Sequence, residues 1–203
     1  MNLAGRAAPL SPDQRRESLI DCTLPLLREY GDAVTTRQIA HACGVAEGTI
    51  FRAFPDKDSL ISATLDKALD QSELLAEIAA INVALDLESR LRAAAAILHD
   101  WFTEVFSLLV AMRLSQKPRP AMTAANREAR HAELIDALAG LIRPDEHLLR
   151  RSAVEVAHLL RGLIFSGAHP QISAHAPLGP DEVVSILLDG VRTAETTART
   201  ARC

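Results

Sequence analysis

Residues 35–57 read Thr-Thr-Arg-Gln-Ile-Ala-His-Ala-Cys-Gly-Val-Ala-Glu-Gly-Thr-Ile-Phe-Arg-Ala-Phe-Pro-Asp-Lys, and this stretch decides the fold. It predicts a helix, a tight glycine turn, a short second helix and the start of a third. Thr35, followed by Gln38, is typical of a capping box at a helix start. Gly44 stands where a residue in the left-handed conformation ends a helix. We therefore predict a helix-turn-helix unit.

The second helix of this unit has two faces of different character. Val45 and Ile50 are apolar and predict its buried face, and its outer face carries Ala46, Glu47, Thr49, Arg52 and Ala53. A short helix held out by a three-helix scaffold fits the major groove of DNA. The pattern indicates double-stranded DNA as a partner, the alternative being a three-helix core without a DNA role.

A longer stretch resembles the DNA-binding domain of the TetR family of bacterial transcriptional regulators. The matching residues are Gly-Val-Ala-Glu-Gly-Thr-Ile-Phe-Arg-Ala-Phe-Pro-Asp-Lys-Asp-Ser-Leu at 44–60 and Thr-Thr-Arg-Gln-Ile-Ala at 35–40. Residues 19–31 resemble the first helix of that family. The resemblance covers about residues 11–65, and beyond them only the length and the helical layout agree.

The resemblance implies an all-α protein of two domains. We expect a loose arm at 1–10, a helix-turn-helix DNA-binding domain at 11–62, an effector-binding and dimerisation domain at 63–196, and a frayed tail at 197–203. The implied protein is a homodimer that binds a palindromic operator. A small, largely apolar effector would release it.

The same resemblance implies which residues meet DNA. Arg37 would read a guanine or bind a phosphate, because a bidentate arginine is the commonest specific contact to guanine. Glu47 would accept a hydrogen bond from cytosine or only favour the helix dipole. The full expected set is Thr35, Thr36, Arg37, Ala46, Glu47, Gly48, Thr49, Phe51, Arg52 and Lys57.

Two positions depart from the family pattern. Phe51 stands where the family usually has a tyrosine that reaches a phosphate, and Ala53 stands where it often has histidine or tyrosine. Each lost donor costs about 1 kcal/mol of DNA binding. Contacts elsewhere, or a different operator, would compensate.

The charge balance gives no general basic signature. The 203 residues carry a formal net charge of −4, and residues 1–60 hold seven Lys and Arg against eight Asp and Glu. This balance counts mildly against nucleic acid binding by bulk electrostatics. Locally, however, Arg37, Arg52 and Lys57 cluster on the predicted DNA face, where two helix N-termini add partial positive charge.

The three cysteines, Cys22, Cys43 and Cys203, are widely spaced. They support neither a zinc site nor a disulfide framework, and we expect Cys22 and Cys43 to be small buried hydrophobes. We also expect no signal peptide and no membrane-spanning segment. A reducing cytoplasm fits this pattern.

The rest of the chain predicts more helices. Ser11-Pro12-Asp13-Gln14 is a helix start, and that helix should end at Gly31. Further helices are expected over residues 73–114 with a break near 82–87, over 126–142, over 145–166, and from Pro180 onward. The part from Ile97 to Met112 is apolar nearly all round, which is typical of a buried helix.

Two residue sets in this domain are candidate sites. Apolar and aromatic side chains with a few polar ones would line an effector cavity, as the resemblance implies, although core packing is the better explanation for most of the apolar ones: Trp101, Phe102, Phe106, Met122, His131, His158 and Phe165. The last two helices would form a four-helix dimer interface through Val156, Leu160, Leu163, Val184, Leu187 and Leu188.

No enzyme signature occurs in the sequence. It contains no Gly-x-Ser-x-Gly motif, phosphate-binding loop or dinucleotide fingerprint, so we expect no catalysis, no cofactor and no metal site. His169 and His175 share a loop but lack further ligands. A transcriptional activator and a non-catalytic ligand-binding helical protein remain as alternatives to a repressor.

Overall fold

The computed structural model describes residues 11–112, 124–173 and 178–193, and the regular structure in these ranges is helical. The predicted all-α fold is thereby confirmed. The helices are α1 Pro12–Tyr30, α2 Thr36–Ala42, α3 Glu47–Ala53, α4 Lys57–Ala68, α5 Ser72–Ala79, α6 Leu87–Met112, α7 Ala124–Ile142, α8 Ala153–Ala168 and α9 Pro180–Val191. The predicted arm at 1–10, the tail at 197–203, Met122, His175 and Cys203 lie outside the described residues.

The chain divides into two compact units. The first consists of Met1–Asp70 and Ser107–Pro120, and the second of Gln71–Phe106 and Ala121–Cys203. Helix α6 contributes its last residues to the first unit, where Leu108 and Met112 are buried in the core. Each unit thus has a hydrophobic core of its own.

Side-chain caps define the helix starts of the first unit. Ser11 forms a capping box with Gln14, and Thr35 forms one with Gln38. The carboxylate of Asp56 accepts a hydrogen bond of 2.7 Å from the backbone N–H of Ser59 at the start of α4. Each cap satisfies donors that the first turn of a helix leaves free. The predicted starts of α1, α2 and α4 are confirmed.

Two glycines in this unit adopt conformations that favour glycine. Gly44 has a φ of 64°, and it ends α2 as predicted. Gly31 has a φ of 55° and follows α1. A Cβ at Gly31 would lie 2.2 Å from the carbonyl oxygen of Ala111, so the close backbone approach also excludes any larger residue.

The prediction for two of the cysteines was wrong. Cys22 of α1 and Cys43, the residue that caps the end of α2, form a disulfide with their Cα atoms 5.5 Å apart. Their spacing of 21 residues gave no signal, because no short motif connects them. Helix crossing alone brings them together. The disulfide joins α1 to the turn that precedes α3.

Helices α6, α7, α8 and α9 contribute most of the core of the second unit. The start of α8 differs from the prediction, which began this helix at 145. Residues Arg143–Leu148 form a 3-10 turn, and α8 begins only at Ala153. The reason is a capping box in which Ser152 and Glu155 satisfy each other's backbone N–H groups.

Helix α6 is less evenly buried than predicted. Phe102, Phe106, Leu108 and Met112 are buried, but Leu109 and Val110 are 39% and 47% exposed. By length and composition alone, α6 is apolar enough to cross a membrane. The core helix of a soluble protein has the same character, and the buried residues of α6 belong to the cores of the two units.

Candidate DNA interface and effector site

The predicted DNA-contacting residues lie at the surface of the first unit. Arg37, Glu47, Phe51 and Arg52 are exposed, as are Thr35, Ala46 and Gly48. Thr36, Thr49 and Lys57 are partly buried. Ile50, on the opposite side of α3, is completely buried. Helix α3 therefore presents one face to solvent, with the charged Glu47 and Arg52 and the apolar Phe51 on it, as a recognition helix requires.

Glu47 is held by a contact within the helix-turn-helix. The hydroxyl of Thr36 donates a hydrogen bond to its carboxylate, which joins the first turn of α2 to the first turn of α3. The carboxylate also lies at the positive end of α3. Both predicted roles of Glu47, base contact and dipole partner, fit this position.

Arg16 of α1 fixes the other end of α3. Its guanidinium donates a hydrogen bond of 2.9 Å to the carbonyl oxygen of Ala53 and lies 4.0 Å from the centre of the Phe54 ring. Phe54 itself is almost completely buried. The recognition helix is thus held at both ends, by Thr36 at its start and by Arg16 at its end.

A basic recess lies between α1 and α3. It has a volume of about 320 Å³ and is lined by Pro12, Arg15, Arg52 and Ala53. Sequence reasoning missed Arg15, because its position on α1 gives no sign that it approaches the recognition helix. Two guanidinium groups at one recess suit a phosphate of the DNA backbone.

Lys57 has a role that the sequence did not indicate. Its ammonium donates hydrogen bonds to the carbonyl oxygens of Asp32, at 3.0 Å, and Val34, at 2.9 Å. These bonds tie the start of α4 to the segment between α1 and α2. An ammonium group has three donors, so one is left for a phosphate.

Phe51 is 51% exposed on α3, although it is a large apolar residue. An exposed phenyl ring on this face can contact a thymine methyl group or a deoxyribose. It cannot donate the hydrogen bond of the tyrosine that the family usually has here.

The second unit contains an aromatic cluster formed by α6 and α8. Phe165 packs edge-on against Phe102 and Phe106, with ring centres 5.3 and 5.0 Å apart. His169, which the sequence analysis did not assign to this site, lies 4.6 Å from Phe106. Trp101 contacts the edge of the cluster at 5.1 Å from Phe102. The structure therefore brings together four of the predicted effector residues.

Trp101 also lines a groove on the surface of the second unit. Its other neighbours there are mostly acidic, and the groove of about 310 Å³ is formed by Glu73, Leu74, Glu77, Ala96, Ile97, Asp100, Trp101 and Glu104. Trp101 is partly buried. Its ring thus lies between the aromatic cluster and this acidic groove.

His131 and His158 form a second group, with ring centres 5.2 Å apart. Burial lowers the pKa of His131, and the neighbouring Arg161 and His158 lower it further. The guanidinium of Arg161 lies 5.7 Å from the centre of the Phe102 ring. Arg161 thus connects the histidine pair to the aromatic cluster, and sequence reasoning missed it.

The predicted dimer-interface set needs a correction. Five of its six members are buried inside the single chain, namely Val156, Leu160, Val184, Leu187 and Leu188. They form the core of the second unit, because α8 and α9 pack their apolar faces against their own neighbours. The exposed apolar residues of these helices are different ones: Val154 at 44%, Leu159 at 45% and Ile186 at 51%.

Comparisons with known proteins agree with this architecture. Residues 19–64 match the model of the bacterial regulatory proteins of the tetR family. A TetR-family transcriptional regulator from Mesorhizobium loti is similar with a TM-score of 0.64 and 15% identity, over 91% of this chain and 100% of its own.

Two other similar structures contain bound molecules. AibR, solved with isovaleryl coenzyme A and operator DNA, has a TM-score of 0.53 and 18% identity, over 86% of this chain and 97% of its own. SmeT, solved with triclosan, has a TM-score of 0.54 and 16% identity, over 89% and 92%. At these identities the likeness shows the fold alone.

Proposed function

We propose that this chain, a member of the TetR family of bacterial regulatory proteins, is a dimeric repressor that a small effector releases from its operator. The observation that carries the proposal is the exposed face of α3, anchored by Thr36 at its start and by Arg16 at its end. Because it would bind DNA, we expect the protein to act in the cytoplasm.

The DNA-binding surface is formed by α2, α3 and the start of α1. Among the described residues, Arg37 and Arg52 make no hydrogen bond or ion pair, and both are exposed. Free guanidinium groups on a recognition surface are suited to bases and phosphates. Arg15 adds a positive charge beside Arg52. The positive charges of these arginines make the proposed DNA-binding surface locally basic, although the chain as a whole carries a net charge of −4.

The dimer interface involves the outer faces of α8 and α9, which pack against each other. Leu159 and Ile186 are about half exposed although they are large and apolar. Gly162 and Gly190 lie one helical turn beyond them, and a Cβ at either glycine would meet open space. A flat face of this kind lets a second copy approach closely around a two-fold axis. Such symmetry matches a palindromic operator.

The effector binds the second unit at the aromatic cluster. AibR and SmeT, which share the fold, hold isovaleryl coenzyme A and triclosan in their structures. In this chain, Phe102, Phe106 and Phe165 supply apolar contact area. An effector that binds more tightly to the DNA-free form shifts the population away from the operator.

Selection of duplexes from a random DNA pool by the full chain tests this proposal. The expected result is the enrichment of a sequence with two inverted half-sites, bound by a dimer. Reporter expression driven by the enriched site then gives the sign, and repression is expected. Increased reporter expression would show that the protein is an activator. If no sequence is enriched from the pool, the alternative of a ligand-binding helical protein without operator function is the one supported.

A further inference from the structure

Helix α8 carries basic and aromatic side chains on one face. His158, Arg161 and Phe165 follow one another at spacings of three and four residues, and His169 comes four residues later, immediately after the helix. Such spacing places side chains on the same side of a helix. Their contacts are with Phe102 and Phe106 of α6 and with His131 of α7, in addition to each other.

Arg161 is the exceptional member of this face. Its Nε is buried without a hydrogen-bond partner, and none of the described residues supplies it with a carboxylate. Other arginines of the second unit pair with acidic side chains: Arg90 with Asp145, Arg92 with Glu88 and Asp181, Arg143 with Asp136, and Arg192 with Glu88. The Nε of Arg90 is also buried without a partner, but its guanidinium pairs with Asp145. The guanidinium of Arg161 instead lies 5.7 Å from the centre of the Phe102 ring, which leaves its charge without a carboxylate among the described residues.

Burial also acts on the charge of this group. It lowers the pKa of Arg161, because a charged group loses hydration when it leaves water. The guanidinium stays charged all the same, since arginine is not deprotonated in proteins near neutral pH. A charge of this kind is unfavourable in the ligand-free protein and favourable once an anion pairs with it.

His131 and His158 extend the same environment. Their ring centres lie 5.2 Å apart with the ring planes tilted by 41°, and Arg161 contributes to the lowered pKa of His131. Glu128 acts on the pKa of His131 in the opposite direction. Three nitrogen-bearing side chains, one of them permanently charged, thus adjoin a cluster of three phenyl rings.

We propose that the effector is an amphipathic organic anion, whose acidic head pairs with Arg161, His131 and His158 and whose apolar body contacts Phe102, Phe106 and Phe165. The inference deepens the proposed function, because it names the chemical class of the effector. A planar guanidinium binds a carboxylate or phosphate through two parallel hydrogen bonds. The phenyl rings select for an apolar tail and against a small inorganic anion.

Calorimetric titration of the full chain, without DNA, tests the inference. The probes are octanoate and 4-phenylbutanoate, with 1-octanol and octyltrimethylammonium as the matched neutral and cationic compounds. We expect both acids to bind and the alcohol and the cation to bind at least tenfold more weakly, because a hydrogen bond between charged groups accounts for roughly that factor or more.

Two arginine variants, one within α8 and one just before it, sharpen the test. Arg161→Met removes the charge at similar length, and Arg151→Met removes a charge from the exposed start of the same segment, where Arg151 pairs with Glu155. Arg161→Met should weaken binding of the acids by about ten- to a hundredfold, whereas Arg151→Met should not. Arg161→Met should also raise the melting temperature of the ligand-free protein, which no purely structural role of Arg161 would produce.

The outcomes separate this inference from the proposed function. Equal binding of octanoate and 1-octanol, no binding of either acid at millimolar concentration, or unchanged acid affinity in Arg161→Met would overturn the anion site. Operator binding is measured in separate experiments without any probe. If the chain binds the acids but no operator, the proposed regulatory function is refuted and the anion site stands.

Discussion

The hydroxyl of Thr36 donates a hydrogen bond to the carboxylate of Glu47, across the turn of the helix-turn-helix. The pair connects the first turns of the two helices and fixes the side chain that begins the recognition helix. A negative charge is thereby held at the surface proposed to meet DNA. Its net effect on DNA binding depends on whether a base donates to it.

Glu47→Gln separates these possibilities. The amide oxygen can still accept a hydrogen bond from Thr36, but the charge that repels phosphates is gone. We expect tighter binding to every duplex, by up to about 1 kcal/mol in water-like surroundings. Fluorescence anisotropy on random and selected duplexes measures it, with Glu133→Gln, an exposed carboxylate of α7, as the control. Weaker binding confined to the selected site would instead identify Glu47 as a base contact.

The helix-turn-helix was predictable from the sequence because its determinants are local. The caps at Thr35 and Asp56 and the left-handed Gly44 act within a few residues of their positions, and each was located correctly. Arg15 and the second role of Lys57 were not predictable. The position of Arg15 depends on how α1 packs beside α3, and the bonds of Lys57 depend on how residues 32–34 pass the start of α4. The local sequence pattern contains neither piece of information.

The same distinction explains the errors in the second unit. The apolar stripes of α8 and α9 predicted burial correctly, but a stripe does not say whether its own chain or a second copy covers it. Leu160 and Leu187 turned out to be core residues. Arg161 was overlooked because a single arginine in a helix is ordinary. It is distinguished by a buried Nε together with the lack of a carboxylate partner among the described residues, and neither can be seen in the sequence.

The disulfide predicts a response to reductant. The two cysteines are 21 residues apart, and closing a loop of about this length raises the free energy of unfolding by roughly 3 kcal/mol. Both cysteines are partly exposed, so a reductant can reach the bond. Dithiothreitol should therefore lower the melting temperature of the wild-type chain. The cytoplasm would act in the same direction, because its thiol pools reduce disulfides.

Serine variants provide the control for this response. Cys22→Ser with Cys43→Ser should melt at the lower temperature with or without dithiothreitol, whereas Cys203→Ser should behave as the wild type. A wild-type melting temperature that dithiothreitol leaves unchanged would show that the two thiols do not form the bond in solution.

A charge at the proposed dimer interface should produce monomers. Leu159→Glu and Ile186→Glu each place two like charges near a two-fold axis, so we expect dimerisation to weaken by about a hundredfold or more. Sedimentation velocity at micromolar concentration measures the state. Val83→Glu is the matched control, since Val83 is 62% exposed outside α8 and α9. Dimers that persist in both interface variants would place the interface elsewhere.

The lowered pKa of His131 predicts a change of stability with pH. Its ordinary value is 6.5, and burial, Arg161 and His158 lower it in the folded chain, although Glu128 acts in the opposite direction. Between the two values the unfolded chain binds more protons, so stability is full above about pH 6.5 and decreases as the pH falls below it. Chemical denaturation at pH 7.5 and 5.5 measures the difference.

His131→Gln is the comparison for this pH dependence. The variant should lose part of the decrease between the two pH values, because glutamine does not titrate. Octanoate should also reduce the decrease in the wild type, since an anion favours the protonated imidazole. A decrease of the same size in His131→Gln would assign it to other groups.

The central claim, that α2 and α3 read DNA, is tested most directly by anisotropy titrations of the selected duplex with Arg37→Ala and Arg52→Ala. Arg151→Ala removes the same charge from an exposed site in the second unit and serves as the control. We expect the first two variants to lose about 1–3 kcal/mol of binding each and the control to bind as the wild type does. Affinities of Arg37→Ala and Arg52→Ala equal to that of Arg151→Ala would contradict the claim.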